Sequence, residues 1–129
     1  MKKRVIFICT HNSARSIMAE AILKHLYGNK FEVFSAGTNP TSVKEFTKLV
    51  LSEINIETSN LYSKSVNEFL GQKFDYVITV CDSAKETCPF FPGGKHYIHK
   101  SFKDPQNLND FREVRDEIYN WIKEFFNAL

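Results

Sequence analysis

Apolar residues along the chain form either short continuous runs or helical stripes. Four short runs, bounded by glycine or polar residues, predict β-strands at residues 5–8, 31–36, 76–80 and 96–99. Apolar residues spaced three and four apart predict helices at residues 15–27 and 110–126, with two further helices between them. Because strands alternate with helices, the sequence predicts an α/β fold with an open, mostly parallel sheet flanked by helices.

Two capping-box patterns predict where the intervening helices begin. Ser42 is followed by Glu45, and Ser65 is followed by Glu68, which is the spacing at which the two side chains cap a helix start reciprocally. We therefore expect one helix to begin at Ser42 and a shorter one at Ser65, the latter ending at Gly71.

Length and charge limit the functional classes. The 129 residues predict a single domain spanning residues 1–129. A net charge of +2 is too small to indicate nucleic acid or a membrane surface as the main partner. No apolar stretch approaches the length of a membrane span, and the first apolar run is too short for a signal peptide. We therefore expect a cytoplasmic protein. We also expect a monomer, since no exposed apolar stripe stands out.

The first predicted strand ends at Cys9, and Arg15 follows six residues later at the start of a predicted helix. The intervening residues can curl so that their N–H groups face one anion, and Arg15 adds a planar, two-pronged donor. The same field favours the thiolate of Cys9, so the segment combines a nucleophile with an oxyanion site. Cys9 as a small buried hydrophobe is the alternative, but it leaves Arg15 unexplained. We call residues 10–16 the oxyanion loop: Thr10, His11, Asn12, Ser13, Ala14, Arg15 and Ser16.

The oxyanion loop, followed by Ile17-Met18-Ala19-Glu20, resembles the phosphate-binding loop of the low-molecular-weight tyrosine phosphatase superfamily. Ser35-Ala36-Gly37 and Cys81-x6-Cys88-Pro89 narrow the resemblance to the thioredoxin-coupled arsenate reductases built on that phosphatase fold. The resemblance covers nearly the whole chain. It implies an open sheet of four parallel strands flanked by helices.

The resemblance also implies a catalytic cycle. Cys9 attacks arsenate held by the loop and Arg15, and Asp104 protonates the departing oxygen. Cys81 then attacks Cys9 and arsenite leaves. Cys88 attacks Cys81, and thioredoxin reduces the Cys81–Cys88 disulfide, so that no bound cofactor is expected. Weak phosphatase activity is expected as well, because phosphate and arsenate have nearly the same shape and charge.

The residues themselves leave alternatives open at these positions. Seven steps along an intact helix span about 10 Å, so the segment between Cys81 and Cys88 must unwind or loop for a disulfide to form. Alternatively, Cys81 is a core residue and Cys88 a spare thiol. Asp104 precedes Pro105, and such a pair is also common in turns and helix starts.

A further group of residues supports the loop if the resemblance holds. Some family members bind potassium through positions that match Asn12, Glu20 and Ser35, and this chain has Lys64 in place of an acidic ligand. We hypothesise that the Lys64 ammonium takes the cation's place and supports the loop through Asn12. A solvated surface lysine is the alternative. His11 stands where glycine is frequent, which indicates either a positive φ or a contact with substrate.

Two other functions compete with arsenate reduction. A low-molecular-weight tyrosine phosphatase would use Cys9, Arg15 and Asp104 and would need neither of the other cysteines. A metal or redox sensor would use the three thiolates with one of three histidines: His11, His96 or His99. Zinc sites usually contain closely spaced cysteine pairs, whereas Cys81 and Cys88 are wider apart, so we expect no metal.

Overall fold

The computed structural model describes residues 2–82 and 90–129. Within them, the elements follow in this order: β1 Lys3–Cys9, α1 Arg15–Tyr27, β2 Phe31–Gly37, α2 Glu45–Ser52, a 3₁₀ helix Val66–Phe69, β3 Phe74–Thr79, β4 Gly94–His99 and α3 Leu108–Asn127. The four strands form one parallel sheet in the order β2-β1-β3-β4. The predicted α/β architecture is therefore confirmed. Cys88, and the predicted rearrangement of the segment leading to it, lie outside the described residues.

The central strand β1 explains why its apolar run is continuous. Val5 and Phe7 belong to a buried cluster that also contains the inward faces of all three α-helices. Ile6 and Ile8 point to the opposite face and belong to a second cluster, which includes Phe69 of the 3₁₀ helix. Successive side chains of a strand face opposite sides of its sheet, so a strand that is covered on both sides must be apolar at every position.

One of the two capping-box predictions is confirmed and the other is wrong. Ser65 accepts a hydrogen bond from the Asn67 N–H, and its own N–H donates to the carboxylate of Glu68. At the other site, α2 begins at Glu45 rather than Ser42, and its N-cap is Lys44, which makes no side-chain capping bond. Lys44 is extended because its N–H donates to the Ser13 carbonyl in the oxyanion loop, 3.2 Å away. This tertiary bond overrides the local signal.

The strand order brings chemically reactive residues to one edge of the sheet. Strands β1 and β3 are neighbours, with Ile8 opposite Thr79 and the Val80 N–H donating to the Ile8 carbonyl. Cys9 ends β1, and Cys81 follows two residues after β3. Ligands of open parallel sheets bind at this carboxyl edge. In the described part of the chain, no helix combines the length and the apolar character that crossing a membrane would require.

Candidate active site

The oxyanion loop turns back on itself at Asn12. Asn12 has a φ of 50°, in the left-handed region that asparagine tolerates better than most residues. Its N–H points at the sulfur of Cys9, with 3.3 Å between nitrogen and Sγ. His11 does not have a positive φ; among the described non-glycine residues, only Asn12 and Asn55 do. The left-handed turn therefore lies at Asn12 and not at His11, whose side chain lines the cleft described below.

Donors outside the oxyanion loop hold its carbonyl groups outward. Five groups bind the carbonyls of residues 10, 11 and 13: the backbone N–H groups of Asn39, Thr41 and Lys44, and the hydroxyls of Thr47 and Ser63. A trans peptide unit points its N–H opposite to its carbonyl. The N–H groups of residues 11, 12 and 14 therefore face the inside of the loop, as an oxyanion requires. Sequence reasoning missed Thr47 and Ser63; the only hint was Thr47, a polar residue on the buried face of a helix.

Gly37 lets β2 pass directly beneath the loop. A Cβ atom at this position would lie 2.5 Å from the Thr10 carbonyl oxygen and 2.9 Å from the Asn12 nitrogen. Both contacts are with backbone, which cannot yield as a flexible side chain would. A glycine at this position is therefore a steric requirement of the loop.

The side chain of Asn12 orients the hydroxyl that faces the Cys9 sulfur. Its Oδ1 accepts the Lys64 backbone N–H at 2.8 Å, which fixes the orientation of the amide. Its Nδ2 donates to Ser16 Oγ at 2.8 Å. Ser16 Oγ lies 2.8 Å from Cys9 Sγ, and its own hydrogen is then available to an ionised sulfur. Two donors, the Asn12 N–H and the Ser16 O–H, thus lie within hydrogen-bond distance of the Cys9 sulfur.

A buried ion pair lies beneath this hydrogen-bond network. Lys64 is only 5% exposed, and its Nζ lies 3.3 Å from Glu20 Oε1 and 2.8 Å from the carbonyl of Tyr62. Ser35 connects the pair to the loop, because it donates to Glu20 and accepts from Asn12. The alternative interpretation of Lys64 as a solvated surface lysine is therefore wrong. These residues do not fit a potassium ion, since the Lys64 ammonium already lies against the carboxylate that would bind it.

Arg15 connects the oxyanion loop to the segment before α3. We call residues 100–106 the acid loop. Arg15 is buried; its Nη1 donates to the Phe102 carbonyl at 3.1 Å, and its Nη2 lies 3.8 Å from Asp104 Oδ1. The structure thus brings Arg15 and Asp104 together. They share a cleft of about 470 Å³, lined by Thr10, His11, Arg15, Lys103, Asp104, Gln106 and Asp110.

Two residues of the acid loop, Lys103 and Gln106, are bound to the first turns of α3. Lys103 Nζ lies 2.9 Å from Glu113 and 3.4 Å from Asp110 Oδ1, and the Gln106 N–H donates to Asp110 Oδ2 at 3.1 Å. The Gln106 hydrogen bond, followed by Lys103, lowers the pKa of Asp110, while Glu113 chiefly raises that of Lys103. Both groups are therefore charged at neutral pH.

The described cysteines differ in their covalent state. Cys9 is a free, buried thiol. Cys81 is also buried and is disulfide-bonded. Both side chains belong to the same buried cluster, and both residues lie at the carboxyl ends of the neighbouring strands β1 and β3. Because Cys9 is free, it is not the partner of Cys81.

Two of the three histidines of the alternative sensor function, His96 and His99, make contacts away from the oxyanion loop. His96 stacks on Tyr76 with ring centres 5.3 Å apart, and His99 Nδ1 lies 2.7 Å from Thr79 Oγ1. Within residues 2–82 and 90–129, no group of three or more histidine, cysteine or acidic side chains is arranged to hold a metal.

The comparison with known families agrees with this site. The family model for low-molecular-weight phosphotyrosine protein phosphatases matches residues 4–129. The chain belongs to this family. A relative from Bacillus cereus strain Q1, an arsenate reductase, is 38% identical over 126 residues, which cover 96% of this chain and 94% of the relative. The resemblance to arsenate reductases on the phosphatase fold is thus confirmed.

Solved structures within the family are similar along the whole length of the chain. An arsenate reductase in a phosphate-binding state superimposes with a TM-score of 0.87 at 28% identity, covering 99% of this chain and 98% of that one. A thioredoxin-dependent arsenate reductase from Corynebacterium glutamicum has a TM-score of 0.79 at 31% identity, covering 98% of this chain and 61% of the other. The chain thus matches a family model named for phosphatases and has the fold of solved arsenate reductases.

Proposed function

We propose that residues 1–129 act as one arsenate reductase domain, which converts arsenate to arsenite with three cysteines and is re-reduced by thioredoxin. The observation that carries the proposal is the pair of buried sulfurs at one sheet edge: Cys9 is free beside two hydrogen-bond donors, and Cys81 is disulfide-bonded to a residue other than Cys9. A phosphatase needs the first of these sulfurs only. The similarity to arsenate reductases supports the same assignment.

In the first step, the Cys9 thiolate attacks the arsenic of arsenate. The inward N–H groups and the Arg15 guanidinium bind the oxyanion, in the manner of other preorganised oxyanion sites. One arsenic–oxygen bond breaks, and Asp104 supplies the proton with which that oxygen leaves as water. The product is a covalent Cys9–arsenic(V) adduct.

In the following steps, electrons pass from sulfur to arsenic. The Cys81 thiolate attacks Cys9 Sγ, the sulfur–arsenic bond breaks, and its electron pair stays on arsenic, which leaves as arsenite. Two thiols have then been oxidised to the Cys9–Cys81 disulfide, while arsenic has gained two electrons. The Cys88 thiolate next attacks Cys81 Sγ, which releases Cys9 as a thiolate and leaves a Cys81–Cys88 disulfide.

The electron donor that we propose for this disulfide is thioredoxin, as in the relative from Corynebacterium glutamicum. Thioredoxin supplies two thiols and becomes a disulfide itself, so the cycle needs no bound cofactor. We further propose that the enzyme is cytoplasmic, because a relay of free thiols requires a reducing compartment. We also propose that it acts as a monomer, as we expect from a sequence without an exposed apolar stripe. A phosphate-like oxyanion would compete with arsenate for the same loop.

The alternative function is a protein tyrosine phosphatase, since the family contains such enzymes and Cys9, Arg15 and Asp104 would serve both reactions. The side chains around the cleft argue against it. Of the described residues that line the cleft, none is a phenylalanine, tyrosine or tryptophan on which a phosphotyrosine ring could stack. Its rim carries charged and amide groups instead. We therefore expect aryl phosphate hydrolysis only as a weak side activity.

Arsenite production in the presence of thioredoxin, thioredoxin reductase and NADPH tests the proposal. Replacing Cys9 by serine should abolish both arsenite production and hydrolysis of an aryl phosphate. Replacing Cys88 by serine should allow one turnover of arsenate and then stop, whereas the same reduced variant, assayed without arsenate, should still hydrolyse an aryl phosphate. Replacing Cys81 by serine should abolish arsenite production but spare hydrolysis.

Sustained arsenate turnover by either the Cys81→Ser or the Cys88→Ser variant would contradict the relay. A wild-type protein that hydrolyses aryl phosphates rapidly and produces no arsenite would instead support the phosphatase. Disulfide mapping of the protein after one arsenate turnover distinguishes the steps, because the Cys88→Ser variant should accumulate the Cys9–Cys81 bond.

A further inference from the structure

The carboxylate of Asp110 binds both residues that flank the Asp104-Pro105 pair. Its Oδ1 lies 3.4 Å from Lys103 Nζ, and its Oδ2 accepts the Gln106 backbone N–H at 3.1 Å. One side chain in the first turn of α3 thus closes a short segment of the acid loop with Asp104 inside it.

Within this closed segment, the Gln106 side chain orients the Asp104 carboxylate. Gln106 Nε2 donates to the Asp104 carbonyl at 3.1 Å and to Asp104 Oδ2 at 3.2 Å. The other carboxylate oxygen, Oδ1, is the one that faces Arg15 across the cleft, at 3.8 Å. The two oxygens therefore have different environments, and Oδ1 is the one directed towards a bound oxyanion.

Capping of α3 does not explain this arrangement. The N-cap of the helix is Asn107, whose side chain accepts the backbone N–H of Asp110. That bond uses the main chain of Asp110 and leaves its carboxylate for the acid loop. An acidic residue in a first helical turn gains a modest interaction with the helix dipole, but this does not require contacts with both Lys103 and Gln106.

We propose that Asp110 is a positioning residue, which holds the acid loop through Lys103 and Gln106 so that Asp104 presents Oδ1 to the leaving oxygen. The inference deepens the proposed function, because it rests on Asp104 as the proton donor. It assigns a role in catalysis to a residue that does not touch the reacting atoms.

A double-mutant cycle separates positioning from a structural role. Replacing Asp110 by alanine should lower kcat for phenyl phosphate, whose leaving group needs a proton, by about tenfold, a fraction of what general acids contribute. Hydrolysis of p-nitrophenyl phosphate, whose leaving group is stable as an anion, should fall less than twofold. KM should stay within twofold for both substrates, since Arg15 and the loop N–H groups are untouched.

The decisive variant combines Asp104→Ala with Asp110→Ala. If Asp110 acts through Asp104, the double variant should hydrolyse phenyl phosphate as fast as Asp104→Ala alone. If the decreases in kcat caused by the two single substitutions multiplied in the double variant, the proposal would be overturned. It would also be overturned if Asp110→Ala lowered kcat equally for phenyl phosphate and p-nitrophenyl phosphate. Glu113→Gln is the matched control: it removes only the exposed second partner of Lys103 and should retain at least half the wild-type kcat.

Hydrolysis of phenyl phosphate tests whether Asp110 positions Asp104, and this test does not depend on arsenate reduction. In the arsenate assay, Asp110→Ala should slow formation of the Cys9 adduct by a similar factor. If the wild-type protein produces no arsenite, the reductase proposal fails, and the phenyl phosphate cycle still decides whether Asp110 positions Asp104.

Discussion

Replacing Lys64 by alanine tests whether a buried ammonium supports the oxyanion loop. In the wild-type protein, the side chains of Lys64 and Glu20 are only 5% and 7% exposed, with 3.3 Å between Nζ and Oε1. Lys64→Ala removes the ammonium and leaves the carboxylate in the interior. Lys24 still binds the other oxygen of Glu20 at 2.8 Å, but its own side chain is half exposed.

The size of the effect follows from this burial. At 3.3 Å and an effective dielectric constant of about 20, the attraction within the pair is about 5 kcal/mol. Breaking a buried pair by removal of one partner costs about 3–5 kcal/mol in net stability. Because Lys24 remains, we expect the lower end, about 3 kcal/mol, which corresponds to a decrease in Tm of about 10 °C for a domain of this size.

Urea denaturation and thermal unfolding measure this loss. Lys24→Ala is the matched control, because it removes a cation from the same carboxylate at an exposed position and should cost less than about 1 kcal/mol. Potassium and sodium, compared at equal ionic strength, should give equal turnover of the wild-type enzyme. In Lys64→Ala, a monovalent cation can enter beside Glu20 and should restore part of the stability.

Two results would refute this reasoning. If the free energy of unfolding of Lys64→Ala were less than 1 kcal/mol below that of the wild type, the Lys64–Glu20 pair would not stabilise the residues that support the loop. A wild-type enzyme that turns over clearly faster in potassium than in sodium would show that an ion, rather than the Lys64 ammonium, serves the loop.

Two further substitutions probe the loop itself. Gly37→Ala should displace the loop, because its Cβ would lie 2.5 Å from the Thr10 carbonyl oxygen, and isothermal titration should then detect weaker phosphate binding while the Tm falls. Ser16→Ala removes a hydrogen bond to the Cys9 sulfur. Bonds to charged groups contribute about 1.5–3 kcal/mol, so alkylation of Cys9 by iodoacetamide at neutral pH should slow by about tenfold or more. An unchanged alkylation rate would show that Ser16 does not stabilise the thiolate.

Features set by neighbouring residues could be predicted from the sequence. Helix α1 has the predicted bounds, because a buried apolar stripe begins after Arg15 and Gly28 follows its end. The strand-to-helix position of Cys9 and the cap at Ser65 also depend on a few adjacent residues. For the same reason, the parallel sheet could be predicted from the alternation of strands and helices.

Features set by contacts between distant segments could not be predicted in this way. Ser42 carries a capping signal, yet the chain stays extended to Lys44, since its N–H binds a carbonyl of the oxyanion loop. The burial of Lys64 depends on Glu20, 44 residues away along the chain. The position of Asp104 beside Arg15 was expected from the family resemblance alone, because an aspartate before a proline has no intrinsic preference for an arginine 89 residues earlier.

In the proposed reaction, Arg15 would couple oxyanion binding to proton donation, because it contacts the acid loop directly. Its guanidinium is planar, so fixing one nitrogen on the Phe102 carbonyl also fixes the plane that faces the oxyanion loop. Phe102 is in turn held by packing of its ring against Trp121 of α3, with ring centres 6.2 Å apart. Arg15, the first residue of α1, therefore sets the distance between the oxyanion loop and the acid loop. A lysine has a single nitrogen and cannot bind the Phe102 carbonyl and two oxyanion oxygens in one geometry, so the positive charge alone does not account for Arg15.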